Sequence, residues 1–392
     1  MSFRILRVVR SLDPVCGGPV EGIRQISPHL QSLGVQTTVA TLDSPDSPWL
    51  SDLPFQTFPL GPVLGNYGFR RGLPSIIRDL ARQHDCVIVH DIWQYNAYAT
   101  WRALRGTNIP YYVYTHGMLD PWFKETYPLK HIKKWLYWPW ATYRLLRDSS
   151  AVLFTTDQER LLARKSFWLY KARECVVGYG TSPPPDHAEL QKAIFLQRFP
   201  HLRNKRILLF LSRIHPKKGI DLLIQAFSRV CTLDSRLHLV IAGPDTVGYL
   251  STLQAQAVSL GIENLITWTG MLRSECKWGA YRSAELFCLP SHQENFGIVV
   301  SEALACALPV AISHPVNISA DITSANAGLT FPDDIEGLTN ALRRWLSFDP
   351  SERQALSNNA LMLFHHRYDY ERIAASLIPV LKGEHTALLT CT

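Results

Sequence analysis

Short apolar runs alternate with amphipathic stretches along most of this chain of 392 residues. The runs have the length and composition of buried β-strands, and they lie at residues 3–9, 35–41, 86–90, 111–115, 151–154, 174–178, 206–212, 237–242, 264–268, 286–290 and 309–312. The stretches between them have helical periodicity, as in the apolar residues at positions 220, 223, 224, 227 and 230. Because strands that alternate with helices form βαβ units, the sequence predicts an α/β protein with parallel sheets.

One segment, G-Y-G-T-S-P-P-P at residues 178–185, interrupts this alternation. Its glycines and prolines cannot continue a strand or the interior of a helix, and the chain is long enough for two domains. We therefore predict two parallel-sheet domains, residues 1–180 and 181–365. Residues 366–392 follow the last strand pattern, and we expect a helix there that crosses back to the first domain.

The segment S-H-Q-E-N-F-G-I-V-V-S-E-A-L-A, residues 291–305, carries the carboxylates of Glu294 and Glu302. It follows an apolar run and continues into a stretch rich in Ala, Leu and Glu, so the predicted order is strand, loop and helix. Glu294 then lies in the loop, and Glu302 lies in the first turns of the helix. Open α/β sheets bind ligands at the carboxyl ends of their strands, which makes both residues candidates. Taken alone, each glutamate would be a surface charge.

The stretch L-S-R-I-H-P-K-K-G, residues 211–219, follows another apolar run and precedes a helix. Its cations, Arg213, Lys217 and Lys218, lie beside a helix N-terminus, which adds a partial positive charge of its own. The combination predicts an anion site that suits a diphosphate. The alternative is a solvated basic loop.

The net charge of +7 and the pI near 9.0 favour anionic partners: phosphorylated substrates, acidic membrane surfaces or nucleic acid. A mildly basic surface without functional consequence is the alternative. The first residues are too charged for a secretory signal, and no apolar run approaches the roughly 20 residues that cross a bilayer. The cysteines are scattered without a C-x-x-C pair, which argues against a zinc or redox motif. We therefore expect the protein in the cytoplasm.

Two loops in the first half also carry candidate residues. Gly17 and Gly18 follow the first predicted strand and would let the backbone approach a phosphate closely, although a tight turn explains them equally well. His116 follows another strand, where a histidine can form hydrogen bonds or handle protons. A structural role is the alternative for His116, and it is the preferred one for His90 and Asp91.

Residues 121–147 mix aromatic and basic side chains: the tryptophans are at 122, 135, 138 and 140, and the cations are at 124, 130, 133, 134, 144 and 147. A helix that lies on anionic lipid headgroups has this composition, as does a wall that stacks on sugars. The alternative is a helix with its aromatic face in the core and its basic face in solvent. Pro139 should kink or end the helix. We expect the acceptor of any transfer reaction here, and no nucleic acid, because no recognition fold matches.

The basic loop and the two glutamates together resemble the retaining glycosyltransferases of family 4. These have the GT-B fold, which implies two Rossmann-like domains that face a central cleft. The resemblance covers most of the chain and is strongest from 206 to 312. It rests on the order and spacing of Arg213 and Lys218, A-G-P at 242–244, T-G at 269–270, and the E-x7-E of Glu294 and Glu302. It implies that the second domain holds a nucleotide-diphosphate-sugar, with UDP or GDP favoured, and that the first binds a glycan or lipid-linked acceptor.

The resemblance also implies how the donor diphosphate and ribose are bound. Arg213 and Lys218 would clamp the diphosphate and neutralise the charge that grows on the leaving group. Gly17 and Gly18 would face the same diphosphate from the first domain. Glu302 would accept hydrogen bonds from the ribose hydroxyls.

The donor sugar has its own set of residues under this resemblance. Glu294 would accept hydrogen bonds from its hydroxyls, and the backbone N–H groups of Asn295, Phe296 and Gly297 would meet the sugar or phosphate. His116 would lie close to the reacting sugar, so His116 and Glu294 are the predicted catalytic residues. Asn295 stands where members often carry glycine, which leaves the identity of the sugar open.

No Asp-x-Asp pattern occurs, so we expect Arg213, Lys218 and backbone dipoles in place of a metal, and no cofactor beyond the donor substrate.

The resemblance implies retention of configuration, and we expect attack from the same face, because no carboxylate pair for double displacement is evident. The pathway would be polysaccharide, lipopolysaccharide or glycolipid synthesis, with the enzyme peripheral on the inner face of the membrane. The alternatives are a GT-B sugar phosphorylase or epimerase, or a non-catalytic sugar-nucleotide-binding protein.

Overall fold

The chain divides into two compact units in the computed structural model, which describes residues 2–384. The first unit runs to Ser182 and takes up the chain again at Tyr370, and the second is Pro183–Asp369. We predicted the division after residue 180 and a returning segment from residue 366. Residues 385–392 of that segment lie outside the described residues.

The first unit is built on a seven-stranded parallel sheet. Its strands are β1 (Phe3–Val9), β2 (Val35–Thr41), β3 (Gln56–Pro59), β4 (Cys86–His90), β5 (Tyr111–Tyr114), β6 (Ala151–Phe154) and β7 (Glu174–Val176). They follow the order β3-β2-β1-β4-β5-β6-β7. The sequence prediction missed β3, because this edge strand has no buried residue and therefore no apolar run.

The second unit is built on a six-stranded parallel sheet. Its strands are β8 (Arg206–Leu211), β9 (Leu237–Ala242), β10 (Ile266–Gly270), β11 (Ala284–Leu289), β12 (Val310–Ser313) and β13 (Gly328–Phe331). They follow the order β10-β9-β8-β11-β12-β13. The prediction missed β13, another short edge strand, in which only alternate residues are buried.

Helices connect the strands in both units. Those of the first are α1 (Gly18–Ser32), α2 (Leu73–Ala81), α3 (Tyr95–Leu104), α4 (Trp122–Thr126), α5 (Pro128–Tyr137), α6 (Tyr143–Asp148), α7 (Asp157–Ala163) and, from the end of the chain, α16 (Tyr370–Leu381). Those of the second are α8 (Ala188–Arg198), α9 (Ile220–Ser228), α10 (Leu250–Ser259), α11 (Ser274–Ser283), α12 (Ile298–Ala305), α13 (Ser319–Ser324), α14 (Ile335–Ser347) and α15 (Pro350–Leu363). Among residues 2–384, no helix has both the length and the apolar character that a membrane span requires.

Helix α16 packs within the first unit, although it follows the whole second unit in the chain. Its residues Ile373 and Leu377 belong to one buried apolar cluster with Ile5 of β1 and Ile26 of α1. Burial of such side chains stabilises a packed helix by about 1.5–3 kcal/mol each. The helix predicted at the end of the chain is therefore part of the core of the first unit.

Each sheet reverses its strand order at one place, between β1 and β4 in the first unit and between β8 and β11 in the second. Loops leave these neighbouring strands in opposite directions, and the crevice that results is where open α/β sheets bind ligands. Gly17 and Gly18 follow β1, Lys218 follows β8, and Glu294 follows β11. The fold thus places predicted site residues at the switch point of their own sheet.

Candidate functional site

The loops after β8 and β11 are joined to each other in the second unit. The N–H of His292 donates to the carbonyl of Lys217 over 2.9 Å. Gly219 has φ 63°, and a Cβ at this position would overlap the carbonyl oxygen of Pro290. Only glycine combines a left-handed backbone with so close an approach, so the sequence K-G at this point brings the two loops into contact.

This contact brings together Lys218 and Glu294, two of the predicted site residues. The Nζ of Lys218 contacts Oε2 of Glu294, and the lysine is only 8% exposed. Burial by itself would raise the pKa of Glu294, but the charge and hydrogen bond of Lys218, with smaller contributions from Lys217 and Arg213, hold that pKa below its usual value. Glu294 is therefore a carboxylate, and it is an acceptor held in a cationic setting.

The backbone of Glu294 is fixed from the opposite side. Its N–H donates to the carbonyl of Pro315 over 3.2 Å, and its carbonyl accepts from the N–H of Asn317 over 3.0 Å. The Glu294 side chain is thus positioned by contacts with both neighbouring loops, which is what an acceptor for a ligand hydroxyl needs.

Two helices begin at this switch point, and both begin after a left-handed glycine. Gly219 precedes α9 and Gly297, with φ 78°, precedes α12, and neither helix has a side-chain cap. The uncapped N–H groups and the helix dipole favour an anion at each of these ends. Arg213 is exposed on the loop after β8 and makes no ion pair within residues 2–384, so its guanidinium is available to such an anion.

The predicted sugar-binding segment after Glu294 divides between core and surface. Phe296 is 4% exposed and its ring packs edge-on against Tyr368, with centroids 5.4 Å apart. Asn295 is partly exposed, and its Oδ1 accepts from the amide of Asn317 over 3.5 Å. The phenyl ring of Phe296 thus belongs to the interior, whereas the side chain of Asn295 is partly exposed.

Glu302 is buried in α12 and is already held by two side chains. Its Oε1 accepts from Nζ of Lys277 over 2.8 Å, and its Oε2 accepts from the hydroxyl of Tyr281 over 2.9 Å. Sequence reasoning missed both partners. Their spacing of four residues on α11 was the available signal, because residues four apart lie on one face of a helix.

Gly17 and Gly18 in the first unit differ in what they do. Gly17 has φ 76° and is the N-cap of α1, while Gly18 is the first residue of that helix. The carbonyl of Gly18 accepts a hydrogen bond from the hydroxyl of Tyr179 over 2.9 Å. No side chain caps α1, but Pro19 has no N–H and the N–H of Val20 donates to the carbonyl of Gly17 over 3.2 Å, so among the described residues the N–H of Gly18 is the first-turn donor that lacks a partner.

His116 follows β5 with a left-handed backbone, φ 46°, which is uncommon for a residue other than glycine. Its Nε2 lies 2.9 Å from Nδ1 of His90, whose Nε2 lies 3.0 Å from Nη1 of Arg7. Edge-on contact with Tyr179, at a centroid distance of 6.0 Å, links His116 to the tyrosine that bonds Gly18. Sequence reasoning preferred a structural role for His90 and missed Arg7 altogether, because a charged residue inside an apolar strand gave no signal.

The aromatic and basic segment 121–147 is only partly a surface. Helix α5 has no buried residue, and Leu129, Ile132 and Leu136 are 79%, 56% and 62% exposed. The helix ends at Tyr137 before a turn that contains Pro139, as the sequence predicted. Trp138 is fully buried, so not all four tryptophans belong to one exposed face.

Two family models match the chain, one in each unit. The model described as glycosyl transferases group 1 matches residues 192–361, and the glycosyl transferase 4-like domain matches residues 17–180. A D-inositol 3-phosphate glycosyltransferase of Saccharomonospora viridis is 29% identical over 184 residues, which are 45% of this chain and 42% of that protein. The alpha-D-kanosaminyltransferase of Streptomyces kanamyceticus is 28% identical over 233 residues, 58% of this chain and 59% of that one. Each match spans less than two thirds of the relative's own length.

A solved structure with the same fold covers nearly the whole chain. The Anabaena protein HepE, in complex with UDP and glucose, superposes with a TM-score of 0.77 over 97% of this chain and 99% of its own, at 19% sequence identity. Together with the two parallel sheets, this likeness confirms the predicted GT-B fold. With a family model matched in each of its units, the chain belongs to the group 1 glycosyltransferases of the family-4-like type.

Proposed function

We propose that this protein transfers a glycosyl group from a nucleotide-diphosphate-sugar to a hydroxyl acceptor. The observation that carries the proposal is the buried contact between Lys218 and Glu294 at the switch point of the second sheet, beside two uncapped helix ends. A cation and helix dipoles suit a diphosphate, and a fixed carboxylate suits the hydroxyls of a sugar. The fold likeness to a protein that was solved with UDP and glucose supports the same class of donor.

In this proposal the donor is held by charge and by backbone N–H groups. Arg213 and Lys218 bind the diphosphate and stabilise the negative charge that develops as the sugar departs. Glu302 accepts the ribose hydroxyls through lone pairs that Lys277 and Tyr281 leave open, since an ionised carboxylate has about four acceptor positions. The nucleotide-sugar is a substrate, and neither a metal nor a cofactor takes part.

The same proposal assigns the sugar to the segment after β11. Glu294 accepts its hydroxyls, and the backbone of Asn295, Phe296 and Gly297 lies next to it. The backbone of Gly17 and Gly18 lies next to the diphosphate. His116 forms a hydrogen bond to the donor.

Retention of configuration is part of the proposal. A retaining double displacement needs a carboxylate nucleophile, and Glu294 is a poor one because its ion pair with Lys218 lowers its pKa and occupies Oε2. The acceptor hydroxyl then attacks from the face that the diphosphate leaves, and the departing phosphate oxygen takes the hydroxyl proton. An inverted product anomer in an NMR time course would refute this mechanism.

The acceptor is a glycan or a lipid-linked saccharide at an anionic membrane surface. The exposed apolar residues Leu129, Ile132 and Leu136 lie on one face of α5, and the exposed cations Lys130 and Lys133 lie beside them. Apolar and cationic groups on one exposed helix match the interface of an anionic bilayer, whose headgroups carry the opposite charge. The enzyme then works as a peripheral protein on the cytoplasmic face, in polysaccharide, lipopolysaccharide or glycolipid synthesis.

A donor screen tests the proposed activity. Purified protein is incubated with UDP-, GDP- and ADP-sugars, and release of the nucleoside diphosphate is followed with and without acceptor saccharides. We expect turnover with one nucleotide class, a loss of about 100-fold or more in Lys218→Met, and no loss in Lys192→Met, an exposed lysine on α8. Phosphate-dependent cleavage of a disaccharide, epimerisation of the donor, or binding without turnover would overturn the proposal.

A further inference from the structure

Arg7, His90 and His116 form a chain of hydrogen bonds in the first unit, and the chain starts at a buried cation. Nη1 of Arg7 lies 3.0 Å from Nε2 of His90, and Nδ1 of His90 lies 2.9 Å from Nε2 of His116. Arg7 is 2% exposed, and its Nε and Nη2 have no hydrogen-bond partner among the described residues. A buried positive charge is thus connected to His116 through one intervening imidazole.

Chemistry fixes the direction of each hydrogen bond in this chain. A guanidinium can only donate, so Nε2 of His90 accepts and the proton of that ring lies on Nδ1. Nδ1–H of His90 then donates to Nε2 of His116, and the proton of the second ring lies on Nδ1 as well. Protonation of either ring would place one N–H against another, so both imidazoles stay neutral.

The electrostatic surroundings favour the same state. Burial lowers the pKa of His116 to about 3, with a further contribution from the charge of Arg7, and burial also holds the pKa of His90 well below its usual value. Tyr114 stacks on His116 at a centroid distance of 5.2 Å, and Tyr179 contacts it edge-on. Burial raises the pKa of both tyrosines, so neither supplies an anion that could charge the imidazole.

The carboxylate of Glu159 accepts hydrogen bonds from hydroxyl and backbone N–H groups around this loop. Oε1 of Glu159 accepts from the hydroxyl of Thr115 and from the N–H of Gly117, both over 2.6 Å. The bonded residues Thr115 and Gly117 are the chain neighbours of His116, so these bonds hold its left-handed backbone in place. The orientation of the imidazole is therefore set by the loop, and its protonation by Arg7 and His90.

We propose that Arg7 and His90 are positioning residues that fix the tautomer of His116, so that His116 presents a neutral Nδ1–H donor to an oxygen atom of the bound ligand. Nδ1 of His116 has no hydrogen-bond partner among the described residues, so it is the ring atom left for a ligand. The basic nitrogen of His116 already accepts from His90, and His116 therefore does not take the proton of an acceptor hydroxyl. The identity of the ligand rests on the proposed function, whereas the tautomer belongs to the free protein.

Nitrogen-15 NMR of the histidine rings tests the tautomer without any ligand. The signals of His90 and His116 are assigned from the spectra of His90→Asn and His116→Asn. We expect both rings to be protonated at Nδ1 and bare at Nε2, with no change between about pH 6 and about pH 8. A proton on Nε2 of His116, or a ring that becomes cationic in this range, would overturn the proposal.

Variants of Arg7 separate positioning from packing. Arg7→Lys keeps a donor and a charge, whereas Arg7→Met keeps the volume and removes both. We expect the lysine variant to retain the Nδ1–H tautomer of His90 and His116 and the methionine variant to lose it. If the folded methionine variant keeps the same tautomer, the proposal is wrong. If that variant does not fold, His90→Gln takes its place, because its amide can adopt either orientation. We then expect His116 to lose the Nδ1–H tautomer in the glutamine variant.

Two substitutions at His116 test the donor role in transfer. Asparagine and aspartate both tolerate a left-handed backbone and have the same shape, but only asparagine carries an N–H near the place of Nδ1. We expect His116→Asn to stay within about 10-fold of the wild-type rate and His116→Asp to fall by about 100-fold or more. The reverse order would show that a base is needed and would overturn the proposal. Absence of transfer by the wild type with every donor would instead count against the proposed function, and the NMR result would still decide the tautomer.

Discussion

Lys218 and Glu294 lie 76 residues apart in the chain, yet the Nζ of one contacts the carboxylate of the other at the carboxyl ends of two adjacent strands. The pairing of β8 with β11 brings the two loops to the same edge, and Gly219 allows them to touch. The contact therefore joins the predicted diphosphate loop to the predicted sugar loop.

The pair contributes to stability as a unit. Removing one partner leaves the other charge buried and unpaired, so we expect Lys218→Met and Glu294→Gln each to lower the free energy of unfolding by about 1–3 kcal/mol. The double variant should cost clearly less than the sum of the two. Urea unfolding of the four proteins measures this coupling, and additive losses would mean that the two charges do not interact.

Gly219 is expected to resist substitution for two separable reasons. Gly219→Ala places a side chain in a left-handed backbone and also against the carbonyl of Pro290. Gly261 is the matched control, because its φ is 67° and nothing lies within 4 Å of an added Cβ. We expect Gly261→Ala to cost about 1 kcal/mol from backbone strain alone and Gly219→Ala to cost at least 2 kcal/mol more, because backbone must move. Equal losses in thermal unfolding would show that the loops do not depend on this contact.

Asp91, at the end of β4, should make stability depend on pH. Burial raises its pKa to about 6, even though the N–H groups of Ile92 and Trp93 bond its carboxylate. Between about pH 4 and about pH 6 the folded chain holds a proton that the unfolded chain has lost, so this group's contribution to stability falls as pH rises. The stability of Asp91→Asn relative to wild type should therefore increase across this window, by up to about 3 kcal/mol, and stay level above it.

Asp148 provides the control of opposite sign for this pH series. Burial would raise its pKa, but hydrogen bonds from Arg147 and Trp101 outweigh burial and lower it. A lowered carboxyl pKa gives stability that is present above the ordinary value and lost as pH falls. Asp148→Asn should thus lose stability relative to wild type as pH rises, and parallel trends in the two variants would contradict the account.

Helix α5 should carry binding to anionic vesicles. We expect the double variant Leu129→Glu, Ile132→Glu to bind phosphatidylglycerol vesicles at least about 10-fold more weakly, because it loses apolar contact and adds repulsion. Leu190→Glu, Leu233→Glu changes the net charge equally at exposed leucines of the second unit. Sedimentation with vesicles measures the difference, and vesicles of phosphatidylcholine alone provide the neutral surface. Equal binding by both double variants would show that α5 does not contact the membrane.

The sequence was sufficient for the sheets and for the loops that follow their central strands. Buried parallel strands are near-continuous apolar runs, so β8 and β11 and the residues after them could be placed from the pattern. Strands β3 and β13 could not, because neither contains an apolar run, whereas the edge strands β7 and β10 were predicted.

Side-chain partners were harder to predict than positions. The spacing of Lys277 and Tyr281 places both on one face of α11, but it does not say that this face meets Glu302 of α12. The link from Arg7 to His116 depends on strand order, since β1, β4 and β5 must be neighbours before those side chains can meet. The candidate residues could thus be located from the sequence, while their contacts followed only from the fold.

Titration calorimetry with nucleoside diphosphates measures whether the protein binds a donor diphosphate through Lys218. UDP, GDP and ADP are titrated into the wild-type protein, Lys218→Met and the surface control Lys192→Met. The proposed diphosphate site predicts that at least one of the three binds the wild type, that Lys218→Met binds it about 10-fold or more weakly, and that Lys192→Met binds it normally. Binding of none of the three, or equal binding to wild type and Lys218→Met, would contradict it.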